Sequence, residues 1–433
     1  MTPEVKERIE QIRHGNVPEG YKKGKLGIVP VDWEEVPFST LFTSTSDYTD
    51  DLAQYPLYSL TIEDGITAKT ERYERSHLVK KENSYKIVRP NDYAYNPMNI
   101  RFGAVARHKG NNAVAVSGYY DIFTTVHESD LAFMDSFLTW RPMITYYNKV
   151  STGSLVEKQR VHFSDFMGFS IALPPIEERR TIAKILTTQD DIIEQKERRL
   201  FEKQQQKKCL MQQLLTGKKR ISGFEECWRK ASFGKVFDFW PTNTLSRDSM
   251  SENSGTIGNI HYGDILITYR EVLNASAEKI PNIKPGCEPN SMTYLNNGDV
   301  IIADTAEDLT AGKAVEIQNV GKKRIVSGLH TMLCRPSKGL FASGWLGYYL
   351  NSSAYHGQLR SLICGVKVCS ISKKEIVKTI IEIPSVAEQK AIVQRISMAD
   401  KELELLCQDL EQEKRKKKAL MQLLLTGIVR VNA

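Results

Sequence analysis

The stretch closest to a catalytic motif is Asn96-Pro97-Met98-Asn99. It starts like the Asn-Pro-Pro-aromatic loop of adenine methyltransferases, but the second proline and the aromatic are missing and no glycine-rich dinucleotide-type loop precedes it. An ordinary Asn-Pro turn accounts for it. Glu194-Gln195-Lys196 has the Glu-x-Lys spacing of a nuclease, yet it falls within a heptad-patterned helix, where it reads as a solvated face. Gly217-Lys218-Lys219 lacks the earlier glycine and the hydroxyl residue of a phosphate-cradling loop, and it stands at the end of a helix rather than at the start. The eight histidines are dispersed, with no HxxxH or triad-like cluster. The seven cysteines are scattered without a CxxC pair, which speaks against a zinc site or a disulfide framework and suits a reducing cytosol. The densest charge run, Lys414-Arg415-Lys416-Lys417-Lys418, is first a solvated helix face and second a contact for phosphates or a partner protein. Such groups at such spacings point to binding rather than to bond making.

An internal repeat sets the elements that must position them. Residues 173–221 and 383–431 align without a gap at an offset of 210, with 16 of 49 positions identical. Pro174/Pro384, Glu178/Glu388, Ile182/Ile392 and Leu200/Leu410 match, as does the closing string Leu210-Met211-Gln212 with Leu214-Leu215-Thr216-Gly217. Each copy is predicted to form one long helix, with proline just ahead of it and glycine at its C-cap. In the second copy Ile392, Ile396, Ala399, Leu403, Leu406, Leu410, Glu413, Lys417, Leu420 and Leu424 recur at alternating steps of four and three. That is a heptad seam. The first copy places Ile182, Leu186, Gln189, Ile193, Lys196, Leu200, Lys203, Lys207, Leu210 and Leu214 on the same seam, less regularly. About forty helical residues make a rod of roughly 60 Å, which cannot bury its stripe alone. The sister rod is the expected partner, ahead of an exposed helix or a homodimerising coiled coil.

The repeat extends beyond the helices. Val31-Asp32-Trp33-Glu34-Glu35-Val36-Pro37-Phe38 leads toward the first copy, and Glu226-Cys227-Trp228-Arg229-Lys230-Ala231-Ser232-Phe233 follows it, with Trp33 matching Trp228 at an offset of 195. The chain therefore divides into an N-terminal helical segment (1–25), a first head (26–172), a first long helix (173–221), a second head (222–382) and a second long helix (383–433). Ile9, Ile12 and Gly15 are spaced like Met211, Leu214 and Gly217. On that echo the first 25 residues mimic the end of a rod and lead into the first head, with an unrelated amphipathic helix as the equal alternative. Both heads are rich in short β-type runs broken by turn residues, with helical patches between them, so the fold class is α+β: two mixed heads on an antiparallel pair of helices with pseudo-two-fold repetition. At 433 residues the chain exceeds one compact core. No apolar run approaches the length of a membrane span, and the charged start Met1-Thr2-Pro3-Glu4-Val5-Lys6-Glu7-Arg8 predicts no signal peptide. Net charge is +7, but residues 26–173 carry 14 basic and 18 acidic side chains. A polyanion-binding first head would have to gather its positive charge on one side.

These motifs resemble a known family over nearly the whole chain, the specificity (S, HsdS-like) subunit of type I restriction-modification systems. Pro384-Ser385-Val386-Ala387-Glu388-Gln389-Lys390-Ala391-Ile392 and Pro174-Pro175-Ile176-Glu177-Glu178-Arg179-Arg180-Thr181-Ile182 are similar to the family's Pro-Pro-x-x-Glu-Gln-x-x-Ile helix start. The Leu-Leu-Thr-Gly closures and the lead-in Gly27-Ile28-Val29-Pro30-Val31-Asp32-Trp33 are similar to it as well. Arg179 and Ser385 depart from the pattern, and Arg179 puts in doubt any role of that Gln in the first helix. The resemblance implies a subunit without catalysis of its own. Its heads would be target-recognition domains, each reading half of a split, asymmetric site in double-stranded DNA. Its helices would set the gap and dock two methyltransferase (M) subunits that carry S-adenosylmethionine, while motor/nuclease (R) subunits use ATP and Mg. The expected compartment is the cytoplasm of a bacterium or archaeon.

Base-edge readout needs Arg, Lys, Asn or Gln forks. The candidates in polar, turn-rich stretches are Lys69, Arg72, Arg75, Arg101, Arg107 and Lys109 in the first head, and Arg270, Lys313, Lys322, Lys323 and Arg324 in the second. For each, a solvated surface charge is the plainer reading. The rival functions are a specificity subunit of another methyltransferase-based defence assembly and a coiled-coil scaffold whose heads bind proteins. The acidic first head favours the scaffold, and divergent heads on duplicated helices favour DNA reading.

Overall fold

The computed structural model describes residues 2–69, 84–155, 158–365 and 368–431. They form two compact units, Met1–Glu197 with Asp409–Ala433, and Arg198–Gln408. The long helices Ile176–Leu214 and Val386–Leu424 each run through both units. Among the described residues no helix is long and apolar enough to cross a membrane.

The first unit mixes short antiparallel strands with helices. A four-stranded sheet runs Val105–Arg107, Tyr93–Tyr95, Asp121–Thr125, Phe42–Thr45, and a three-stranded one runs Val114–Ser117, Tyr85–Val88, Tyr48–Thr49. Its core is aromatic: Phe38, Phe42, Tyr95, Phe123 and Phe166 pack edge-on or offset at 4.9–6.4 Å between centroids. In the second unit a five-stranded sheet runs Phe237–Trp240, Thr331–Pro336, Val300–Ala303, Ala314–Gln318, Val272–Asn274, with its last pair parallel. Val300–Ala303 is buried at every position, as a central strand covered on both faces must be. A buried carboxylate, Glu316, leaves this sheet to accept the backbone N–H groups of Gly344 and Gly347 around the start of helix Trp345–Leu350. Burial raises its pKa despite those bonds.

The two heads are mounted on the helices in the same way. Glu34–Pro37 pairs antiparallel with Ser170–Leu173, and Arg229–Ser232 with Ile380–Ile383. In each head a strand near its start is thereby joined to its last strand, immediately ahead of a long helix. Trp33 Nε1 donates to Glu178 Oε2 at 3.3 Å, and Trp228 Nε1 donates to Glu388 Oε2 at 3.1 Å. Onto the same carboxylates fold two arginines that follow the Leu-Leu-Thr-Gly closures. Arg430 reaches Glu178 through Nε at 2.7 Å and Nη2 at 2.8 Å, and Arg220 reaches Glu388 at 2.6 and 2.8 Å. Each unit thus ties the start of one long helix to the end of the other. The glycine of each closure sits at φ +67° beside the tryptophan of the knot, and a Cβ at Gly427 would stand 2.9 Å from the Trp33 ring and 2.5 Å from Pro30.

This arrangement corrects the expected part of residues 1–25. They do form a helix, Pro3–Arg13, ending at Gly15 with φ +80°. The place of a rod end in the first unit is nonetheless taken by the true end of the second long helix, which supplies Arg430. The N-terminal segment lies against that closure, with Arg8 donating to the Ile428 carbonyl and Tyr21 Oη to the Gly427 carbonyl at 2.7 Å.

None of the twenty seam positions is exposed. Ile182, Leu186, Leu214, Ile392, Ile396, Leu410 and Leu424 are buried, and Ile193, Leu200, Leu210, Leu403, Leu406 and Leu420 are half-buried. The polar seam positions pair across the helices. In the first unit Gln189 donates to Glu413 at 2.7 Å, and Lys196 bridges Asp409 at 2.7 Å and Glu413 at 3.1 Å. The Gln189 amide and Lys196 hold the Glu413 carboxyl below its usual range. In the second unit Lys203 meets Glu402 at 2.8 Å and Lys207 meets Asp400 at 2.6 Å. Residue numbers rise on one helix as they fall on the other, so the segments run antiparallel within each unit.

Two outcomes follow from this packing. Leu406→Asp lowers stability by about 2–3 kcal/mol because it places a charge in the seam. Leu405→Asp, one residue away and 65% exposed, changes it by no more than about 0.5 kcal/mol; equal melting temperatures for the two variants would refute the seam. Glu388→Ala leaves Arg220 and Trp228 Nε1 without their shared acceptor and costs about 3 kcal/mol in chemical denaturation, the low end for a broken buried pair because Arg220 can hydrate.

Candidate nucleic-acid interface

Three of the five cations expected in the second head, Lys322, Lys323 and Arg324, line one cleft. The turn before strand Arg324–Ser327 carries Asn319 at φ +55° and Gly321 at φ +57°, and it projects Lys322, Lys323 and Arg324 outward. Lys323 Nζ donates to the Ala275 carbonyl at 2.5 Å, and Arg324 Nη2 to Thr256 Oγ1 at 2.8 Å. These three line a cleft of about 700 Å³ with Lys279, Arg247, Asn253 and Asn282. Three carboxylates share it, and two have internal duties. Asp264 binds Arg247 at 2.6 Å and the His261 N–H at 3.1 Å, while Glu278 accepts the Asn274 N–H at 3.2 Å. What remains is the carboxylate of Glu252, a set of lysines, the Arg324 guanidinium bonded through a single arm, and two amides. That is the donor and acceptor chemistry that reads base edges and phosphates.

Two of the expected residues are committed elsewhere. Lys313 is half-buried, with Nζ donating to the carbonyls of Leu266 at 3.0 Å and Tyr269 at 3.2 Å, and burial lowers its pKa. In the first head Arg107 closes its fork on Asp135 at 3.0 and 2.7 Å and gives its remaining arm to Asn91 Oδ1 at 2.6 Å. Tyr93 Oη donates to the same carboxylate at 2.8 Å. A fork spent in this way cannot meet a base without breaking its pair. Arg101 is half-buried, bonded to Gln159 at 3.0 Å and stacked on the Phe102 ring. Lys69, Lys109 and Arg270 are exposed, with Lys109 3.5 Å from Asp135, and Arg72 and Arg75 lie outside the described residues.

Sequence reasoning missed Arg247, Lys279, Asn253 and Asn282, which come from segments 42 to 77 residues before Arg324 and share no spacing with it. The departure at Arg179 is also explained. In the second unit Gln389 accepts the Ala342 N–H at 2.7 Å and donates to the carbonyls of Leu340 and Pro384, fastening the head to the helix start. In the first unit Arg179 stands there and pairs with buried Asp130 at 3.0 Å, an ion pair by distance whose angles fall short of a hydrogen bond. Among the described residues no three His, Cys, Asp or Glu side chains gather as metal ligands.

No family model matches the chain. Across 95% of its length and 97% of the relative's, it is 24% identical to the provisionally named type I restriction enzyme MjaX specificity subunit of Methanocaldococcus jannaschii. The type I restriction enzyme MjaVIII specificity subunit of the same organism is 26% identical over 61% of this chain and 63% of that one. A chain from a solved type I R-M system superposes with a TM-score of 0.58 at 16% identity, covering 93% of this chain and 99% of its own. The S subunit of a type I restriction-modification system from M. genitalium gives 0.52 at 12% identity, over 91% and 96%. The fold is thus that of type I restriction-modification specificity chains. Sequence similarity to the MjaX specificity subunit runs along almost the entire chain as well, so in both sequence and fold the chain is similar to type I specificity subunits.

The two kinds of cation separate by experiment. Arg107→Ala strips Asp135 and Asn91 of their partner and lowers stability by about 2 kcal/mol. Arg324→Ala removes one surface hydrogen bond and lowers it by no more than about 0.5 kcal/mol. Thermal melts of the two variants check this, and a larger loss for Arg324→Ala would place it in the structural set.

Proposed function

We propose that this chain is the DNA sequence-specificity subunit of a type I restriction-modification complex, contributing recognition and no catalysis. The observation that carries the reading is full-length similarity to type I specificity subunits, joined to two unlike heads mounted through the same Trp-Glu-Arg knot. Each head is a target-recognition domain for one half of a bipartite, asymmetric site in double-stranded DNA. The helices act as an antiparallel coiled coil related by a pseudo-two-fold, set the gap between the halves and dock two methyltransferase subunits. S-adenosylmethionine belongs to those subunits, and ATP and Mg to the motor/nuclease subunits, all working in the cytoplasm. A specificity subunit of another methyltransferase-based defence assembly would use the same heads.

Exchange of residues 26–172 for the head of a related chain changes one half of the methylated sequence and leaves the other half and the gap intact. Arg324→Ala weakens binding to the cognate site by about 1–3 kcal/mol and relaxes only the half read by the second head. Genome-wide mapping of methylated adenines reads both outcomes. A head exchange that altered both halves together would defeat the modular assignment.

A further inference from the structure

The first head carries a net negative charge, yet one groove in its unit is lined by cations without a single carboxylate. Lys25, Arg141 and Lys149 line a space of about 750 Å³ together with Leu26, Pro142, Thr145, Tyr146 and Gln422, the Thr145 hydroxyl donating to the Arg141 carbonyl at 3.0 Å. The helix Arg141–Val150 contains no acidic residue. Arg141, Thr145 and Lys149 follow one another at steps of four, so they share a face of that helix, and all three are exposed. Among the described residues none of the three cations takes part in an ion pair, although this head holds 18 acidic side chains that could have supplied partners. The second long helix brings Gln422 to the groove, and Arg415 and Lys418, seven and four residues before it, are exposed on the same side of that helix. Clustered cations repel one another, so the arrangement gains stability only when an anion arrives.

We infer that this groove is a second, sequence-independent DNA contact, taking duplex backbone phosphates through Lys25, Arg141 and Lys149. The uncharged lining supports this assignment over an acidic protein partner. Thr, Tyr and Gln side chains beside Arg and Lys are the set that contacts phosphate oxygens and sugars. Arg141 and Lys149 are separated by about 12 Å along the helix, comparable to the about 12 Å width of a B-DNA major groove, so one helix face can address phosphates on both of its edges. The inference rests on the DNA-specificity reading above. It adds a positioning surface in the unit of the first head, apart from the base-reading cleft of the second.

The test uses the full chain and a labelled duplex lacking any methylation target, titrated by fluorescence anisotropy over a salt series. Lys25→Gln/Arg141→Gln/Lys149→Gln is expected to make the slope of log K against log salt shallower by about two to three, since each phosphate contact contributes about 0.9. Affinity at 0.1 M salt is expected to fall at least about tenfold. Lys149→Gln alone should remove about one unit of slope, and it stands in should the triple variant fail to fold. A triple variant that melts like the wild type and keeps its affinity and slope would overturn the inference while leaving the DNA-reading function in place. A variant that keeps its DNA binding but no longer associates with a methyltransferase subunit would overturn it in favour of a protein contact. A wild-type chain that binds no duplex at any salt would fail the functional reading itself, and this inference with it.

Discussion

Two buried carboxylates hold the architecture together. Glu178 and Glu388 are 4% and 1% exposed, and a charge so placed is tolerable only where nearly every lone pair is met. Each meets a bidentate arginine and a tryptophan N–H, so carboxylate, guanidinium and indole come from three separate stretches of chain: the start of one long helix, the end of the other, and the lead-in to a head. Loss of any partner would leave an ion stranded, so the three stretches are obliged to coincide. The repeat is most complete in these stretches because both knots make the same demand. The arginine of the first knot, Arg430, is additionally held by Asp32 at 2.8 and 2.9 Å, a pair that lowers the Asp32 pKa.

The knots are constant while the heads differ, and this separation suits a recognition subunit. The helix starts, closures and lead-in tryptophans serve as a mounting, and what lies between Pro37 and Ser170, or between Ser232 and Ile380, can vary without disturbing it. Even the fastening next to the knot has been solved twice, by the Gln389 amide in one unit and by the Arg179–Asp130 pair in the other. The amide is neutral and fully satisfied by backbone. The guanidinium needed a counter-ion, which the first head supplies from the start of helix Leu131–Leu138.

Charge was the least reliable guide at the level of whole segments. A head with a net negative count still presents a groove free of acids, because Asp130 and Asp135 are consumed by Arg179 and Arg107, and Asp47 by Arg89. The basic run Lys414 to Lys418 is split in the same way. Lys414, Lys416 and Lys417 turn toward Glu197, Glu413 and Asp190, and Arg415 and Lys418 face outward. Pairing geometry decides the field that a ligand meets, and a count of residues does not contain it.

The sequence by itself determined the long helices, their glycine closures, the seam and the family resemblance. All of these rest on local periodicity or on a repeat that can be compared with itself. Only the tertiary structure decided which cations are available. Lys313 and Arg107 look the same in sequence as Lys322 and Arg324, yet the first two are closed on partners 16 to 47 residues away and the last two stand exposed at a cleft. The structure likewise decided that the end of the second long helix, and not the N-terminal segment, completes the first knot. Ion pairs and hydrogen bonds between distant segments follow from how sheets and helices pack, and no spacing along the chain encodes them. The mounting was therefore legible, while the set of exposed cations emerges only once folding has used up the charges it needs for itself.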